Sequence, residues 1–397
     1  MRSGTLLALA ATAGPVLADQ HYFFAGAFSG STIFGFEFDD VASTLTLANN
    51  ITTNASSGSK WIALDAAKKN LYVASSGYFQ SYAITDDLGL TYSSNVSLTS
   101  DCNNGNFISV LTTEPYTVFG TPYGGGCPTL AISVDESGIL QSTFANASYS
   151  SAGGVHGTSL SPDMRFLYSA DDMGDAVWVH SYDNETGTIE EIQYLAAADD
   201  MDPRHLAAHP NGKWVYVVYE AGNSVAVYSR SACTGKLTFT NTTYSLLPSG
   251  KRQPSNPLNY RDRTWADLGW TIGFTNSSSY WADEVLFSVP SNVSSAASPK
   301  YLLAATRSRT VGVPGYVSAF ALDADTGTIT EQLFLTPTTN SGGSANAVSP
   351  AAFAEDYFAI TDSGSNFVEV WKIEGADATA VAHVDLATGP ANVVWYS

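Results

Sequence analysis

Two stretches of the chain, residues 155–189 and 203–237, repeat one pattern and decide the fold. They read VHGTSLSPDMRFLYSADDMGDAVWVHSYDNETGTI and PRHLAAHPNGKWVYVVYEAGNSVAVYSRSACTGKL. Each contains a strand, a turn with proline and aspartate or asparagine, and a second strand that carries tyrosine. A polar turn and a third alternating strand follow, and this strand ends at a Thr-Gly turn. Because four-stranded units of about 40–50 residues are typical of propeller blades, the repeat predicts a β-propeller.

The same pattern recurs along the rest of the chain and predicts the number of blades. It begins again at Ser59 and recurs over 107–140, 282–329 and 344–379, which gives six units with a period of about 48 residues. Residues 20–45 have the later strands of a unit without its first strand, and 392–397 form an isolated strand. We therefore expect an all-β, seven-bladed β-propeller, a single domain over 19–397, closed by pairing of the N- and C-terminal strands. Residues 241–280 break the rhythm and are expected to be a loop insertion over one face of the ring.

Composition and the N-terminus favour export of the chain. Residues 1–18 contain an early arginine, a short apolar run and a small-residue cleavage site, which together predict a signal peptide. The apolar run is shorter than the roughly 20 residues that a membrane span needs. The net charge is −20, with 37 acidic residues against 17 basic ones, so we expect no nucleic-acid partner.

Sequons and cysteines agree with a secreted location. The chain has eight Asn-x-Ser/Thr sequons, although a chain rich in Ser and Thr also acquires such sequons by chance. They begin at Asn50, Asn54, Asn95, Asn146, Asn184, Asn241, Asn276 and Asn292. Cys102 and Cys127 flank one predicted strand. They either form a disulfide in an oxidising compartment or stay free, and Cys233 then has no cysteine to pair with. The three cysteines form no zinc pattern, and we expect neither a metal nor a cofactor.

Aligning the repeats brings polar residues onto equivalent positions. With Pro162 set against Pro210, His156 and Arg204 both fall at the start of a blade's first strand. Lys60 takes this position in an earlier blade, and its side chain is a further candidate for the same channel.

A second set of residues falls where the second strand of a blade ends. With residues 213–220 set against 300–307, Glu220 and Arg307 coincide there, and Asp172 is the equivalent residue one blade earlier. Since the first two strands of a blade are antiparallel, both sets lie at the same end of the ring. We therefore expect His156, Arg204, Glu220 and Arg307 to converge at one mouth of the central channel.

Each of these four residues also has a structural interpretation. His156 alone is more typical of a solvated strand end, Glu220 of an exposed turn, and Arg204 of a blade cap or a surface ion pair. His205 and His209 are expected to be packing or turn residues. As a set, the four suit chemistry on small anionic molecules, because guanidinium groups hold carboxylates and imidazole exchanges protons near neutral pH. Arg261 and Arg263 in the insertion are alternatives to Arg307.

The same residues carry a resemblance to the family of seven-bladed lactonase propellers, which includes bacterial 6-phosphogluconolactonases and fungal carboxymuconate cyclases. That family has a His that opens one blade, Pro-Arg-His that opens the next, and Asn-Glu at the end of that blade's second strand. His156, the segment 203–205 and Glu220 match this pattern, whereas Tyr219 replaces the Asn. Arg307 stands between Thr and Ser, where the family has Asn-Arg-Gly.

The resemblance implies a cofactor-free cycloisomerisation with His156, Arg204, Glu220 and Arg307 as the active-site residues. Arg204 and Arg307 would bind carboxylates and stabilise an enolate-like charge, while His156 or Glu220 donates the proton. Arg204→Ala is then expected to abolish turnover and leave the fold intact. Two other hypotheses stay open: a secreted lactonase that hydrolyses a small lactone, and a non-catalytic cell-wall glycoprotein that retains the pocket.

Overall fold

A computed structural model describes residues 19–54, 58–114, 116–151, 153–249, 279–290 and 298–397. These residues form 28 strands and one short 3₁₀ turn at Ser100–Cys102. None of the helical structure in these ranges is long and apolar enough to cross a membrane. The predicted signal peptide, 1–18, lies outside the described residues.

The strands form seven antiparallel blades of four, which confirms the predicted fold class. Blade 1 combines β28 (Pro390–Trp395) with β1 (Gln20–Ala27), β2 (Thr32–Asp39) and β3 (Thr44–Thr52). Blade 2 comprises β4 (Ser59–Leu64), β5 (Asn70–Ser75), β6 (Tyr78–Ile84) and β7 (Leu90–Ser97). Blade 3 comprises β8 (Gly105–Val110), β9 (Thr117–Pro122), β10 (Thr129–Val134) and β11 (Leu140–Ala147). Blade 4 comprises β12 (Val155–Leu160), β13 (Phe166–Asp171), β14 (Ala176–Asp183) and β15 (Thr188–Ala196).

The remaining three blades follow in chain order. Blade 5 comprises β16 (Pro203–Ala208), β17 (Trp214–Tyr219), β18 (Ser224–Arg230) and β19 (Leu237–Ser245). Blade 6 comprises β20 (Tyr280–Phe287), β21 (Tyr301–Ser308), β22 (Tyr316–Leu322) and β23 (Ile329–Pro337). Blade 7 comprises β24 (Val348–Pro350), β25 (Tyr357–Asp362), β26 (Phe367–Ile373) and β27 (Ala378–Asp385).

The two ends of the chain close the ring in blade 1, as predicted. Strand β28 pairs antiparallel with β1, with Phe23 opposite Trp395. The Phe23 ring lies 4.5 Å from the Trp395 ring and 4.8 Å from that of Phe36, so aromatic packing supports the joint. A single bridge between Ala27 and Ser59 also connects blade 1 to blade 2.

The hydrophobic core lies between neighbouring blades. One cluster joins Tyr168 and Val177 of blade 4 to Val217 and Tyr228 of blade 5. The second strand of a blade is buried throughout, as in β13, whereas the outermost strand alternates between exposed and half-buried residues, as in β3. Contacts between successive first strands run around the whole ring, so these seven strands surround its axis.

The Thr-Gly turns that marked the repeat close the outer hairpins of three blades. Gly187, Gly235 and Gly327 have φ values of 72°, 68° and 72°, and each amide donates to the carbonyl four residues earlier. A residue with a side chain adopts this left-handed conformation at a cost, which explains the glycine at each turn.

The structure describes the two ends of the expected insertion and all three cysteines. Strand β19 continues to Ser245 and β20 begins at Tyr280, so the first residues of the expected insertion belong to a strand. Its central part, 250–278, including Arg261 and Arg263, lies outside the described residues. Cys102 and Cys127 form a disulfide, and Cys233 is free and exposed.

Candidate functional site

The first strands of five consecutive blades share a β-bulge near their start. In blade 5, for example, Pro203 pairs with Tyr219 and His205 with Val218, which leaves Arg204 as the extra residue. Such a bulge re-aims the side chain of the extra residue. The five equivalent residues, called the bulge row here, are Lys60, Asn106, His156, Arg204 and Asp283.

A second row of equivalent residues follows from the pairing at these bulges. The partners of the residues just before the bulge in blades 3 to 6 are Pro122, Asp171, Tyr219 and Thr306. The residue that follows each of these partners in the sequence belongs to a set called the strand-end row here. Its members are Tyr123, Asp172, Glu220 and Arg307. Because first and second strands are antiparallel, both rows lie at one end of the ring, called the upper end here.

Two arginines and two carboxylates from these rows form a closed network. Arg204 Nη1 donates to both oxygens of Glu220 at 3.1 Å, and its Nη2 lies 3.0 Å from Asp283 Oδ1. Arg307 bridges the same two carboxylates through its Nη1 and Nη2 atoms. The Asn346 amide donates to Asp283 Oδ2 at 2.7 Å. Each guanidinium thus contacts both carboxylates, and the exposed fractions of the four residues are only 2–6%.

This pairing sets the charge of Glu220. Burial alone would raise the pKa of its carboxyl, but the guanidinium groups of Arg204 and Arg307 outweigh burial and lower the pKa below its usual value. The same two carboxylates raise the pKa of Arg204. Glu220 is therefore ionised at neutral pH and suited to holding the guanidinium groups rather than to giving up a proton.

His156 begins a chain of hydrogen-bonding groups that runs away from this network. Its Nδ1 lies 2.9 Å from His205 Nε2, and His205 Nδ1 lies 3.0 Å from Glu284 Oε2. Burial, followed by the charge of Arg204, lowers the pKa of both histidines, that of His205 to about 3. Burial also raises the pKa of Glu284. The two histidines are therefore electrically neutral near pH 7, and the protonated form of Glu284 is favoured relative to an exposed glutamate. Asn106 donates to the His156 carbonyl at 2.9 Å and fixes this part of β12.

Aromatic side chains fill the centre of the propeller next to His205. The His205 ring lies 4.7 Å from that of Trp61 and 5.1 Å from that of Phe107. These residues come from blades 5, 2 and 3, so their side chains meet across the axis. A Cβ atom at Gly157 would stand 2.3 Å from His205 Cδ2, so this position must lack a side chain. The group forms an apolar floor beneath the polar rows.

Tyr123 and Asp172 form a separate pair in the strand-end row. Tyr123 donates from its hydroxyl to Asp172 Oδ2 at 3.1 Å, and its ring lies 5.3 Å from that of His156. Asp172 Oδ1 is buried and has no hydrogen-bond partner among the described residues. Burial and the Glu220 carboxylate raise the pKa of Asp172 well above its usual value.

Lys60 completes the bulge row on the other side of the ring. Its Nζ donates to Asn104 Oδ1, and burial lowers its pKa. Across the described ranges, no three His, Cys, Asp or Glu residues are grouped so that they could hold a metal ion.

Comparison with protein families now adds to this geometry. Residues 23–374 match the family described as lactonase, seven-bladed β-propeller. The chain belongs to this lactonase family. The resemblance expected from the sequence is thereby confirmed.

Two curated relatives and one solved structure illustrate the range of the family. The carboxy-cis,cis-muconate cyclase of Neurospora crassa is 28% identical over 92% of this chain and 95% of its own length. A muconate cycloisomerase of Cutaneotrichosporon cutaneum is 31% identical, over 55% of this chain and half of its own. The periplasmic gluconolactonase of Pseudomonas aeruginosa has a TM-score of 0.74 at 16% identity, covers 95% of this chain and 99% of its own, and shares the fold.

In this lactonase-family chain, the structure brings together most of the residues expected from the sequence. Arg204 and Arg307 both contact Glu220, and His156 lies close enough for the charges of both arginines to lower its pKa. His205 packs against Trp61 and Phe107, as expected, and it also bridges His156 and Glu284. His209 is a turn residue as expected, and its Nδ1 accepts from the Asn211 amide at 3.1 Å.

The sequence reasoning missed Asp283 and Tyr123, although a signal for both was present. Setting residues 282–285 against 203–206 places Asp283 on the position of Arg204, and extending the alignment to blade 3 places Tyr123 on that of Asp172. The long insertion just before blade 6 conceals the start of its first strand.

Proposed function

We propose that this protein is a lactone-forming or lactone-opening enzyme that acts at the mouth of the central channel, and that its reaction is the cycloisomerisation of a carboxylated muconate-type substrate. The observation that carries the proposal is the buried network of Arg204, Arg307, Glu220 and Asp283 beside a neutral His156. Similarity to the Neurospora cyclase over nearly the whole chain supports the choice of substrate class.

The reaction forms one carbon–oxygen bond and one carbon–hydrogen bond. A substrate carboxylate oxygen adds to a conjugated double bond, negative charge moves toward a second carboxylate, and a proton is added to the adjacent carbon. No co-reactant besides one proton from solvent is needed, because the lactone differs from the carboxylate form of the substrate by that proton alone. The protein must therefore bind carboxylates, stabilise the enolate-like charge and supply one proton.

Arg204 and Arg307 are suited to the first two tasks. Glu220 and Asp283 fix both guanidinium planes, so no reorganisation is needed when charge develops. The Nε atoms of both arginines are buried and lack hydrogen-bond partners within the described ranges. They are donors that a bound carboxylate or enolate can use.

Of the two proton carriers considered from the sequence, His156 is suited to accepting a proton or to donating a hydrogen bond, and Glu220 is suited to neither. Glu220 is held ionised by two guanidinium groups and has no proton to give. His156 is neutral because burial and Arg204 lower its pKa. A neutral imidazole donates a hydrogen bond or accepts a proton, and the contact with His205 Nε2 orients its ring.

Hydrolysis of a small lactone is the second candidate, and the neutral histidine pair favours it. A neutral imidazole can accept a proton from water, while the arginines stabilise the oxyanion that forms when water attacks the lactone. The family name and a 26% identical 6-phosphogluconolactonase of Pectobacterium carotovorum, which matches half of this chain, support this direction.

An assay with both substrate classes tests the proposal. Purified protein is incubated with 3-carboxy-cis,cis-muconate and with a panel of sugar and aliphatic lactones, and substrate loss is followed spectrophotometrically. We expect turnover of the muconate, reduced at least 100-fold in Arg307→Lys, because lysine cannot bridge two carboxylates. Arg165→Lys is the matched control, since Arg165 is exposed and remote from both rows. Turnover of lactones alone favours hydrolysis, and no turnover of either class favours the non-catalytic glycoprotein.

We further propose that the protein is secreted and glycosylated. The Cys102–Cys127 disulfide is typical of an oxidising compartment. Among the described sequons, five asparagines are exposed: Asn50, Asn54, Asn95, Asn146 and Asn241.

A further inference from the structure

We infer that Asp172 is the acid that delivers the proton to carbon in the proposed reaction, and that Tyr123 holds and orients it. The inference rests on the proposed function and adds to it a catalytic residue outside the four drawn from the sequence. It is carried by the position of Asp172, by its unpaired oxygen and by the saturation of the neighbouring carboxylates.

Asp172 occupies the strand-end position of blade 4, the position that Glu220 takes in blade 5. It lies between Tyr123 of blade 3 and Glu220, close enough to Glu220 and Arg204 for their charges to act on it. Its exposed fraction is 8%, so the carboxyl is shielded from bulk water in this state. It therefore belongs to the same end of the ring as the arginine network.

The two oxygens of Asp172 are in different situations. Oδ2 accepts a hydrogen bond from the Tyr123 hydroxyl, whereas Oδ1 is buried and has no partner among the described residues. An unsatisfied buried polar atom is destabilising and rare in native proteins, so its presence requires an explanation. An oxygen that contacts a substrate atom only when substrate binds would provide this explanation.

The other carboxyls of the site are already occupied. Glu220 and Asp283 are each held by two guanidinium groups, and Asp283 also accepts from the Asn346 amide. Glu284 accepts from the Val285 amide at 2.9 Å and faces His205. Asp172 is thus the carboxyl of these two rows that combines a fixed orientation with a free oxygen.

Its surroundings also favour the acid form of Asp172. Burial, and then the nearby Glu220 carboxylate, raise the pKa of Asp172 well above its usual value, more than Arg204 lowers it. The pKa of Glu220 is shifted in the opposite direction, so the pKa values of two adjacent carboxyls in equivalent positions are driven apart. Two carboxyls whose pKa values are driven apart by their environments are a common basis for dividing acid and base roles.

The step balances without a co-reactant besides one proton from solvent. As the carboxylate oxygen of the substrate bonds to carbon, the Asp172 Oδ1–H bond breaks and a C–H bond forms at the carbon next to the second carboxylate. The Asp172 carboxylate left behind accepts from Tyr123 and is reprotonated by water after product leaves. In the opening direction the same carboxylate removes that proton.

The test compares Asp172→Asn with the native protein in the 3-carboxy-cis,cis-muconate assay. Asparagine keeps the shape and the bond from Tyr123 but cannot supply the proton, so we expect kcat to fall by about 10²–10⁴-fold while KM changes less than threefold. Asp325→Asn, at an exposed turn in blade 6, is the matched control and should retain native kcat. Difference infrared spectra near pH 7 give a readout independent of turnover: the native protein should show a protonated-carboxyl band that Asp172→Asn lacks.

Each possible outcome either supports or overturns the role of Asp172. An active native protein with an equally active Asp172→Asn variant overturns the inference and leaves the proposed function standing. An Asp172 carboxyl that is ionised near pH 7 in the infrared spectra overturns it as well. A native protein without turnover of any muconate or lactone overturns the proposed function, and the inference with it. A fall in kcat together with loss of the infrared band supports both.

Discussion

At the scale of single residues, the arginine network changes what a substitution is expected to do. Arg204 contacts both Glu220 and Asp283, and all three side chains are buried. Removal of one partner from a buried ion pair leaves an uncompensated charge and costs about 3–5 kcal/mol. The expectation that Arg204→Ala leaves the fold intact stays a prediction, but a loss of stability must accompany it, because Arg204 also neutralises two buried carboxylates.

We predict that Arg204→Ala lowers the free energy of unfolding by about 3–5 kcal/mol in addition to abolishing turnover. Urea denaturation measures this change. Arg165→Ala is the control, because Arg165 pairs with Asp163 at the surface, and an exposed pair contributes at most about 1 kcal/mol. Equal urea midpoints for Arg204→Ala and the native protein would show that the network is not closed as described.

The buried His205 makes stability depend on pH. Its pKa is about 3 in the folded protein, well below the value near 6.5 of an unfolded chain, so only the unfolded state binds its proton between these values. Stability that depends on this neutral histidine is present above pH 6.5 and is lost as the pH falls toward 3. We predict that His205→Gln reduces the slope of unfolding free energy against pH in this window by about 1.4 kcal/mol per pH unit.

His383 supplies a control of opposite sign. Partial burial lowers its pKa, but hydrogen bonds to Glu369 and Asp385 outweigh this and raise the pKa above its usual value. Its stabilising contribution is present below pH 6.5 and is lost as the pH rises through the folded pKa. His383→Gln should therefore alter the slope only above pH 6.5. A His205→Gln variant with an unchanged slope between pH 3 and 6.5 would contradict the neutral assignment.

At the scale of elements, the β-bulge explains why repeat alignment found some site residues and missed others. The equivalence of His156 with Arg204, and of Glu220 with Arg307, follows from spacing within a repeat and was visible in the sequence. The contacts between them depend on which way the extra residue of a bulge points, and spacing does not contain that direction. The partnership of His205 with Glu284 therefore emerged only with the three-dimensional pairing, whereas Asp283 could have been found by extending the repeat alignment.

The disulfide connects two segments that carry site residues. Cys102 precedes β8, which presents Asn106, and Cys127 follows Tyr123 at the end of β9. Because the two cysteines are 25 positions apart in the sequence, the closed loop is expected to contribute about 3.5 kcal/mol by restricting the unfolded chain.

We predict that Cys102→Ser combined with Cys127→Ser lowers the free energy of unfolding by about this amount and lowers kcat, because Tyr123 and Asn106 lose their common support. Urea denaturation and the muconate assay measure the two effects. Cys233→Ser is the matched control and should change neither, since Cys233 is free and exposed. A double variant as stable as the control would argue against a disulfide in the native protein.

At the scale of the whole molecule, the number of blades and the closure by both chain ends were predictable because every blade repeats the same alternation of strands and turns. The joint between β1 and β28 holds residues more than 360 positions apart, so the ring is complete only when both ends are present. Export was expected from residues 1–18, which the structure does not describe, and it stays a prediction.

The sequons allow that prediction to be tested in detail. Asn184 is half-buried, accepts from the Tyr182 hydroxyl at 2.9 Å and donates from Nδ2 to the Glu114 carbonyl at 3.3 Å, so a glycan on Nδ2 would disturb the contact with Glu114. We predict that protein from a culture medium begins at Asp19 and loses mass on enzymatic deglycosylation. Asn184→Gln should leave the glycan mass unchanged, whereas Asn95→Gln, at an exposed position, should reduce it. Intact residues 1–18 on exported protein would contradict the signal peptide.

The most direct test of the central claim is the product formed from 3-carboxy-cis,cis-muconate in deuterated water, followed by proton NMR. The account predicts that the native protein converts the substrate to its lactone with one deuterium at the carbon next to a carboxylate, at a rate that Arg307→Lys reduces at least 100-fold. An unchanged substrate, or equal rates for the native protein and Arg307→Lys, would contradict it.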